Sequence, residues 1–129
     1  MPGMPLRPLT VQERRRIWDG ATAYILANYA DPLDVDEVAR AALTSRRQLQ
    51  RVFEEVGGTT FRSYVARVRM HAAARQLAAG SAPVRSIADS VGYRQPAQFA
   101  KAFRRRYGVG PSEFRARAAT AAGERALAA

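Results

Sequence analysis

Arg47, Gln50 and Arg51 stand at i, i+3 and i+4 in the stretch SRRQLQRVFEEV, so a helix carries all three on one side, clear of an apolar face made by Leu49, Val52, Phe53 and Val56. Such a stripe is a hydrogen-bonding edge. A guanidinium offers paired donors to O6 and N7 of guanine, and a carboxamide pairs with N6 and N7 of adenine, each good pair discriminating by ~1–3 kcal/mol. Glu54, in the same stripe, belongs near the exit of a groove, because a carboxylate facing phosphates repels them. A second stretch, QPAQFAKAFRRRY, sets Ala97, Gln98, Lys101, Arg104 and Arg105 opposite Phe99, Phe103 and Tyr107. Gln98 and Lys101 are its candidate base contacts, and Ala97 offers only an apolar touch to a thymine methyl. The three aromatics fall at i, i+4 and i+8, which makes them core rather than a stacking platform. Arg46, Arg94, Arg104 and Arg105 are assigned to phosphates, which set register and salt dependence but read no sequence.

These side chains are useful only on helices, and the chain punctuates itself accordingly. Three prolines in the first ten residues predict an extended leader over 1–10. From Thr10 the pattern Ile17, Ala21, Tyr24, Ile25 and Tyr29 has helical spacing, closed by the Asp31-Pro32 pair. Asp34 with Glu37, and Ser45 with Gln48, have capping-box spacing, so two further helices start there. Gly57-Gly58 stops the third, and Thr60 caps a longer fourth whose apolar stripe is Tyr64, Val65, Val68 and Ala72, ended by Gly80. Pro83 sets the fifth and Gly92 ends it; Pro96 opens a sixth running to about Tyr107. Gly108 and Pro111 break and restart the chain into a last helix through Phe114, and the tail at 118–129 has helix propensity but little to bury, so fraying is expected. The fold class is therefore all-α: a seven-helix bundle of two helix-turn-helix subdomains, 11–80 including a long linker helix, and 81–117.

The chain also repeats itself. Val38-Ala39, Leu49, Phe53, Gly58, Tyr64 and Arg67 have counterparts at Ile87-Ala88, Phe99, Phe103, Gly108, Phe114 and Arg117, with a one-residue slip in the turn. Each copy is a short helix, a tight turn and a second helix with a basic outer face, about 46–56 and 96–107, the pattern of a major-groove reader. The joining helix from Thr60 to about Ala79, at ~1.5 Å per residue, makes a spacer of roughly 30 Å, close to one DNA turn of ~34 Å.

Composition agrees. A chain of 129 residues with a formal charge of +10 points to a polyanionic partner, although lysine contributes only Lys101 and an arginine-rich, alanine-rich coding bias accounts for part of the excess. The absence of cysteine excludes a disulfide framework and thiolate metal ligation. No window approaches a membrane span and no apolar leader is present, which predicts a soluble protein acting in the cytoplasm, at the nucleoid, without a membrane partner.

The second copy, IADSVGYRQPAQFAKAFRRRYGVGPSEFR, closely resembles the C-terminal signature of the AraC/XylS family of bacterial transcription regulators, in its IA, its GY, its paired phenylalanines and its closing G..P..FR. VARAALTSRRQLQRVFEEVGGTTFRSY resembles the less specific first half of that domain. The resemblance covers about residues 14–117. It implies two helix-turn-helix units that bind promoter DNA for activation or repression, with base-reading sites carried over onto Arg47, Gln50 and Arg51 and onto Pro96, Ala97, Gln98, Ala100 and Lys101. Three positions depart from the pattern. Leu43-Thr44 replaces a small or turn-forming residue followed by leucine or methionine. A positive φ at Leu43 costs on the order of 1 kcal/mol, which predicts a different path through the turn. Pro96 and Ala97 replace hydrogen-bonding side chains, which weakens the second reader. Gly110 stands where the family often has a capping serine, a smaller change because glycine is a tolerable N-cap.

Enzyme classes fit poorly: there is one histidine, His71, and no nucleophile–base or metal-ligand cluster, so neither catalysis, metal nor cofactor is expected. The reading is a sequence-specific regulator, binding DNA as a monomer, either a stand-alone member of the family or an excised domain of a longer effector-responsive one. Two alternatives are a non-specific architectural nucleic-acid-binding protein, and a protein acting mainly through contacts such as RNA polymerase, for which Arg14, Arg15 and Arg16 supply a basic face.

Overall fold

Thr10 opens the first helix, α1 (Val11–Asn28), with a reciprocal capping box: its hydroxyl accepts from the Glu13 amide, and the Glu13 carboxylate accepts from the Thr10 amide. The computed structural model describes residues 8–128. Six more helices follow, α2 (Val35–Ala41), α3 (Arg46–Gly57), α4 (Phe61–Ala79), α5 (Val84–Ser90), α6 (Pro96–Tyr107) and α7 (Pro111–Ala128), and the described residues contain no strand. Most of the expected leader lies outside the described residues; of the remainder, Leu9 is buried.

The caps largely follow the sequence. Ser45 accepts from the Gln48 amide and Thr60 from the Ser63 amide, while Asp34 accepts from the Asp36 amide. Neither expected reciprocal box closes: at Asp34 the Glu37 carboxylate accepts a 2.6 Å bond from the Tyr24 hydroxyl, and at Ser45 the buried Gln48 Oε1 accepts no hydrogen bond. Pro96 occupies the first turn of α6, where its missing N–H has no helical partner to lose.

The chain divides into two compact units after Val65, inside α4. This places Ala66–Ala79 with the second unit, whereas the sequence reading carries the first subdomain to residue 80. In the first unit, Ile17, Ala21 and Ile25 of α1 pack with Val38, Leu49, Val52 and Phe53, and Trp18, Phe53, Phe61 and Tyr64 form an aromatic cluster with ring centroids 5.0–5.9 Å apart. In the second, Tyr93, Phe99, Phe103, Tyr107 and Phe114 make the corresponding cluster at 4.7–5.8 Å. Phe99, Phe103 and Tyr107 are thus internal packing, as their spacing predicts.

Three expectations need correction. Val56 is 44% exposed rather than core: it points the same way as Leu49, Val52 and Phe53, but it sits in the last turn of α3, where the elements that cover that face have ended. In α4 only Val65 of the expected stripe is buried; Met70, Ala73, Ala74 and Leu77 are the other buried residues, because the helix serves two units and its buried side shifts along its length. The last helix continues to Ala128 rather than ending near Phe114; alanine-rich propensity extends it, although almost nothing beyond Phe114 is buried.

The turn between α2 and α3 is the most informative departure. Leu43 adopts φ +54°, the left-handed region that favours glycine, and it is 80% exposed. Its counterpart in the repeat, Gly92, has φ +97°. The surrounding bonds match too: the Thr44 amide donates to the Ala39 carbonyl at 2.9 Å, as the Tyr93 amide does to Ala88 at 2.9 Å. The first turn therefore keeps the path of the second, and the leucine accepts the strain instead of rerouting the chain.

Candidate nucleic-acid interface

On α3, the N-cap at Ser45 fixes where the helix begins and the buried Leu49, Val52 and Phe53 fix its rotation, so the opposite stripe faces outward. Arg47, Gln50 and Glu54 are exposed. Arg51 is half-buried, and its Nε donates to Glu55 Oε1 at 2.8 Å. Arg46 lies at the head of the helix and makes two bonds to Asp36 of α2, Nε to Oδ1 at 2.8 Å and Nη2 to Oδ2 at 2.7 Å. That bidentate pairing holds the Asp36 carboxyl below its ordinary value and raises Arg46. Of the sequence-assigned cations on α3, then, Arg47 projects freely, whereas Arg46 and Arg51 are each tied to a carboxylate.

On α6, Phe99 and Phe103 are fully buried, and Pro96, Ala97, Gln98, Lys101, Arg104 and Arg105 are exposed, with Ala100 half-buried. Arg94 lies in the turn before the helix and shares a shallow cleft with Arg85, Ser86, Asp89, Tyr93 and Pro96. Arg85 went unassigned in the sequence because it sits on the first helix of its helix-turn-helix; the fold lines one cleft with it and Arg94. Each helix-turn-helix thus presents its own stripe of planar or cationic donors on its second helix.

Other cations have structural work. Arg16 Nη1 donates to the Ala42 carbonyl at 2.8 Å, Arg15 pairs with Asp19 at 3.2 Å, and Arg14 Nε lies 3.1 Å from Glu55 Oε2, while Arg15 and Arg16 stay exposed on the basic face expected for protein contacts. Arg115, the closing arginine of the repeat, donates to the Leu77 carbonyl at 3.3 Å and to the Ala82 carbonyl, capping the end of α4. His71 is exposed on α4. Among the described residues there is no group of His, Cys, Asp or Glu able to hold a metal ion, and no helix long and apolar enough to cross a membrane.

A model of the helix-turn-helix domain matches residues 38–117. The regulatory protein SoxS of Escherichia coli is 32% identical over 103 residues, covering 80% of this chain and 96% of SoxS. The RCS-specific transcriptional activator RclR of Escherichia coli is 37% identical over 83 residues, 64% of this chain and 29% of RclR, and a putative AraC-like transcription regulator of Streptomyces antibioticus is 37% identical over 95 residues, 74% of this chain and 31% of that protein. The chain therefore spans less than a third of those two relatives. Among solved structures, an AraC-type transcriptional regulator from Chromobacterium violaceum matches with TM-score 0.78 at 27% identity, over 85% of this chain and 97% of that one. The DNA-binding domain of AdpA in complex with a target DNA matches with TM-score 0.72 at 28% identity, over 78% and 90%.

Proposed function

Because the chain belongs to the AraC/XylS family of bacterial transcription regulators, we propose that it is a sequence-specific regulator that reads two adjacent major-groove segments of promoter DNA with α3 and α6. The observation that carries this reading is the repeated turn. Leu43 and Gly92 give both units the same backbone path, and each turn delivers a helix whose outward stripe holds groove-reading side chains. Arg47, Gln50 and Arg51 read bases in the first segment; Gln98 and Lys101, with an apolar touch from Ala97, read the second. Arg94, Arg104 and Arg105, joined by Arg85, grip phosphates, and Arg46 joins them with its charge partly offset by Asp36.

The first reader is the more discriminating, since Pro96 and Ala97 bring no hydrogen-bonding groups to the start of α6. The protein acts as a monomer on DNA in the cytoplasm, needing neither metal nor cofactor. A contact with RNA polymerase draws on the outer faces of the helices, the exposed Arg15 and Arg16 of α1 among them.

Selection of preferred duplexes from a random pool by the purified chain tests this. A bipartite motif is expected, with the better-defined half assigned to α3 by its loss in Arg47→Ala. Absence of any enriched motif would replace the proposal with an architectural, sequence-tolerant role.

A further inference from the structure

An arginine discriminates between bases more sharply when its plane is held, because a freely rotating guanidinium also finds neighbouring phosphates. Arg51 is held. Its Nε donates to Glu55 Oε1 at 2.8 Å, one turn further along α3, which leaves the edge formed by Nη1 and Nη2 for an outside pair of acceptors. The other oxygen, Glu55 Oε2, lies 3.1 Å from Nε of Arg14, presented by α1. The Arg14 Nε–H makes no hydrogen bond, so this second contact is Coulombic rather than directional. The three side chains are 33%, 32% and 38% exposed for Arg14, Arg51 and Glu55, a partly desolvated row at the edge of the reading face.

The bond to Arg51, supported by the charges of Arg51 and Arg14, holds the Glu55 carboxyl below its ordinary 4.5 and ionised at neutral pH. Arg47 has no comparable anchor among the described residues. A carboxylate beside a polyanion is unfavourable for affinity in itself, so its presence here calls for a role other than charge.

We propose that Glu55 is a positioning residue for sequence discrimination: tethered by Arg14, it clamps the Arg51 guanidinium so that its terminal fork meets one base pair. The inference rests on the DNA-reading assignment of Arg51. Without the clamp Arg51 turns to nearby phosphates, so discrimination falls while general affinity for DNA does not. A residue that merely stabilised the fold would move both in the same direction.

The experiment compares the wild-type chain with Arg51→Ala, Glu55→Ala and Glu55→Gln on the duplex the wild type selects, on its single-base variants and on an unrelated duplex. Arg51→Ala identifies the base pair concerned. At that pair Glu55→Ala is expected to lose discrimination by about tenfold, within the range of one bidentate contact, while binding the unrelated duplex at least as tightly as wild type. Glu55→Gln keeps an acceptor for Nε and is expected to retain more discrimination than Glu55→Ala. If Glu55→Ala does not fold, Glu55→Gln carries the test with a smaller loss confined to the same base pair. Wild-type discrimination in both Glu55 variants, alongside its loss in Arg51→Ala, overturns the clamp alone. Unchanged discrimination in Arg51→Ala overturns the clamp together with the assignment of Arg51, and equal binding of wild type to all duplexes removes the DNA-reading proposal itself.

Discussion

The guanidinium of Arg16 donates a 2.8 Å hydrogen bond to the carbonyl of Ala42, the residue that ends α2 just before Leu43 turns the chain at φ +54°. A side chain from α1 thus fastens the strained turn that delivers α3. The first reader is aimed by a contact from outside its own helix-turn-helix.

Removing that fastening should loosen the first unit. Arg16→Ala is expected to destabilise the fold by about 1–2 kcal/mol, the scale of a lost hydrogen bond from a charged donor. Leu43→Gly should act in the opposite sense, because relief of a left-handed conformation, roughly 1–2 kcal/mol, exceeds glycine's added chain entropy of about 0.5–1 kcal/mol. Denaturant midpoints of both variants check this. A loss of stability in Leu43→Gly would mean that the exposed leucine makes a contact worth more than its strain.

Gly57 and Trp18 make a second tight approach. A β-carbon at Gly57 would stand 2.6 Å from Trp18 Cη2, and the indole is itself wedged against Phe53 and Tyr64 at 5.0 and 5.4 Å. Gly57→Ala gains at most about 1 kcal/mol of helix propensity at the end of α3, whereas overpacking against an indole packed on Phe53 and Tyr64 costs roughly 1–3 kcal/mol, so net destabilisation is expected. In the Trp18→Ala background the same substitution should become neutral or stabilising. A double-mutant cycle measured by thermal melts reads the difference directly.

The sequence shows the helices, the repeat and the two outward stripes because caps, glycines and apolar spacing are local signals. Thr10, Ser45, Thr60 and Pro96 mark their helices from a few neighbouring residues alone. What it hides depends on neighbours far along the chain. Arg14, Arg16 and Arg115 look like ordinary surface cations until the fold sets them beside Glu55, Ala42 and Leu77. The repeat does hold the clue to Leu43, since its counterpart is Gly92, but leucine's own preference argues the other way. Val56 is misplaced because helical periodicity gives a direction, not the point at which a neighbouring element stops covering it.

Stability should fall at acid pH. The carboxyls of Asp36 and Glu55 are depressed below 3.8 and 4.5 in the folded chain, by hydrogen bonds from Arg46 and Arg51 respectively. Between the folded and unfolded values the unfolded chain binds more protons, so their contribution is complete above the unfolded values and is lost as pH falls through the folded ones. Tyr24 runs the other way: its bond to Glu37 raises it above 10.0, so its contribution is complete below that value and is lost as pH rises through the folded one. Asp36→Asn should flatten the acid limb and Tyr24→Phe the alkaline limb of a stability–pH curve measured by denaturant titration.

Salt dependence should separate the free cations from the paired one. Each phosphate contact made by an exposed arginine releases condensed counterions, so Arg94→Ala, Arg104→Ala and Arg105→Ala are each expected to reduce the slope of log affinity against log salt by about 0.9. Arg46 is different, because the Asp36 carboxylate bonded to its Nε and Nη2 offsets its charge, although its Nη1 side stays open. Arg46→Ala should change the slope by clearly less. Asp36→Asn, which removes the carboxylate and releases the guanidinium, should strengthen binding to specific and unrelated duplexes alike and steepen the slope. Fluorescence-anisotropy titrations over a salt series measure all five. An Arg46→Ala slope change as large as that of Arg104→Ala would show that DNA breaks the Asp36 pair on binding, and Asp36→Asn should then raise affinity while leaving the slope where it was.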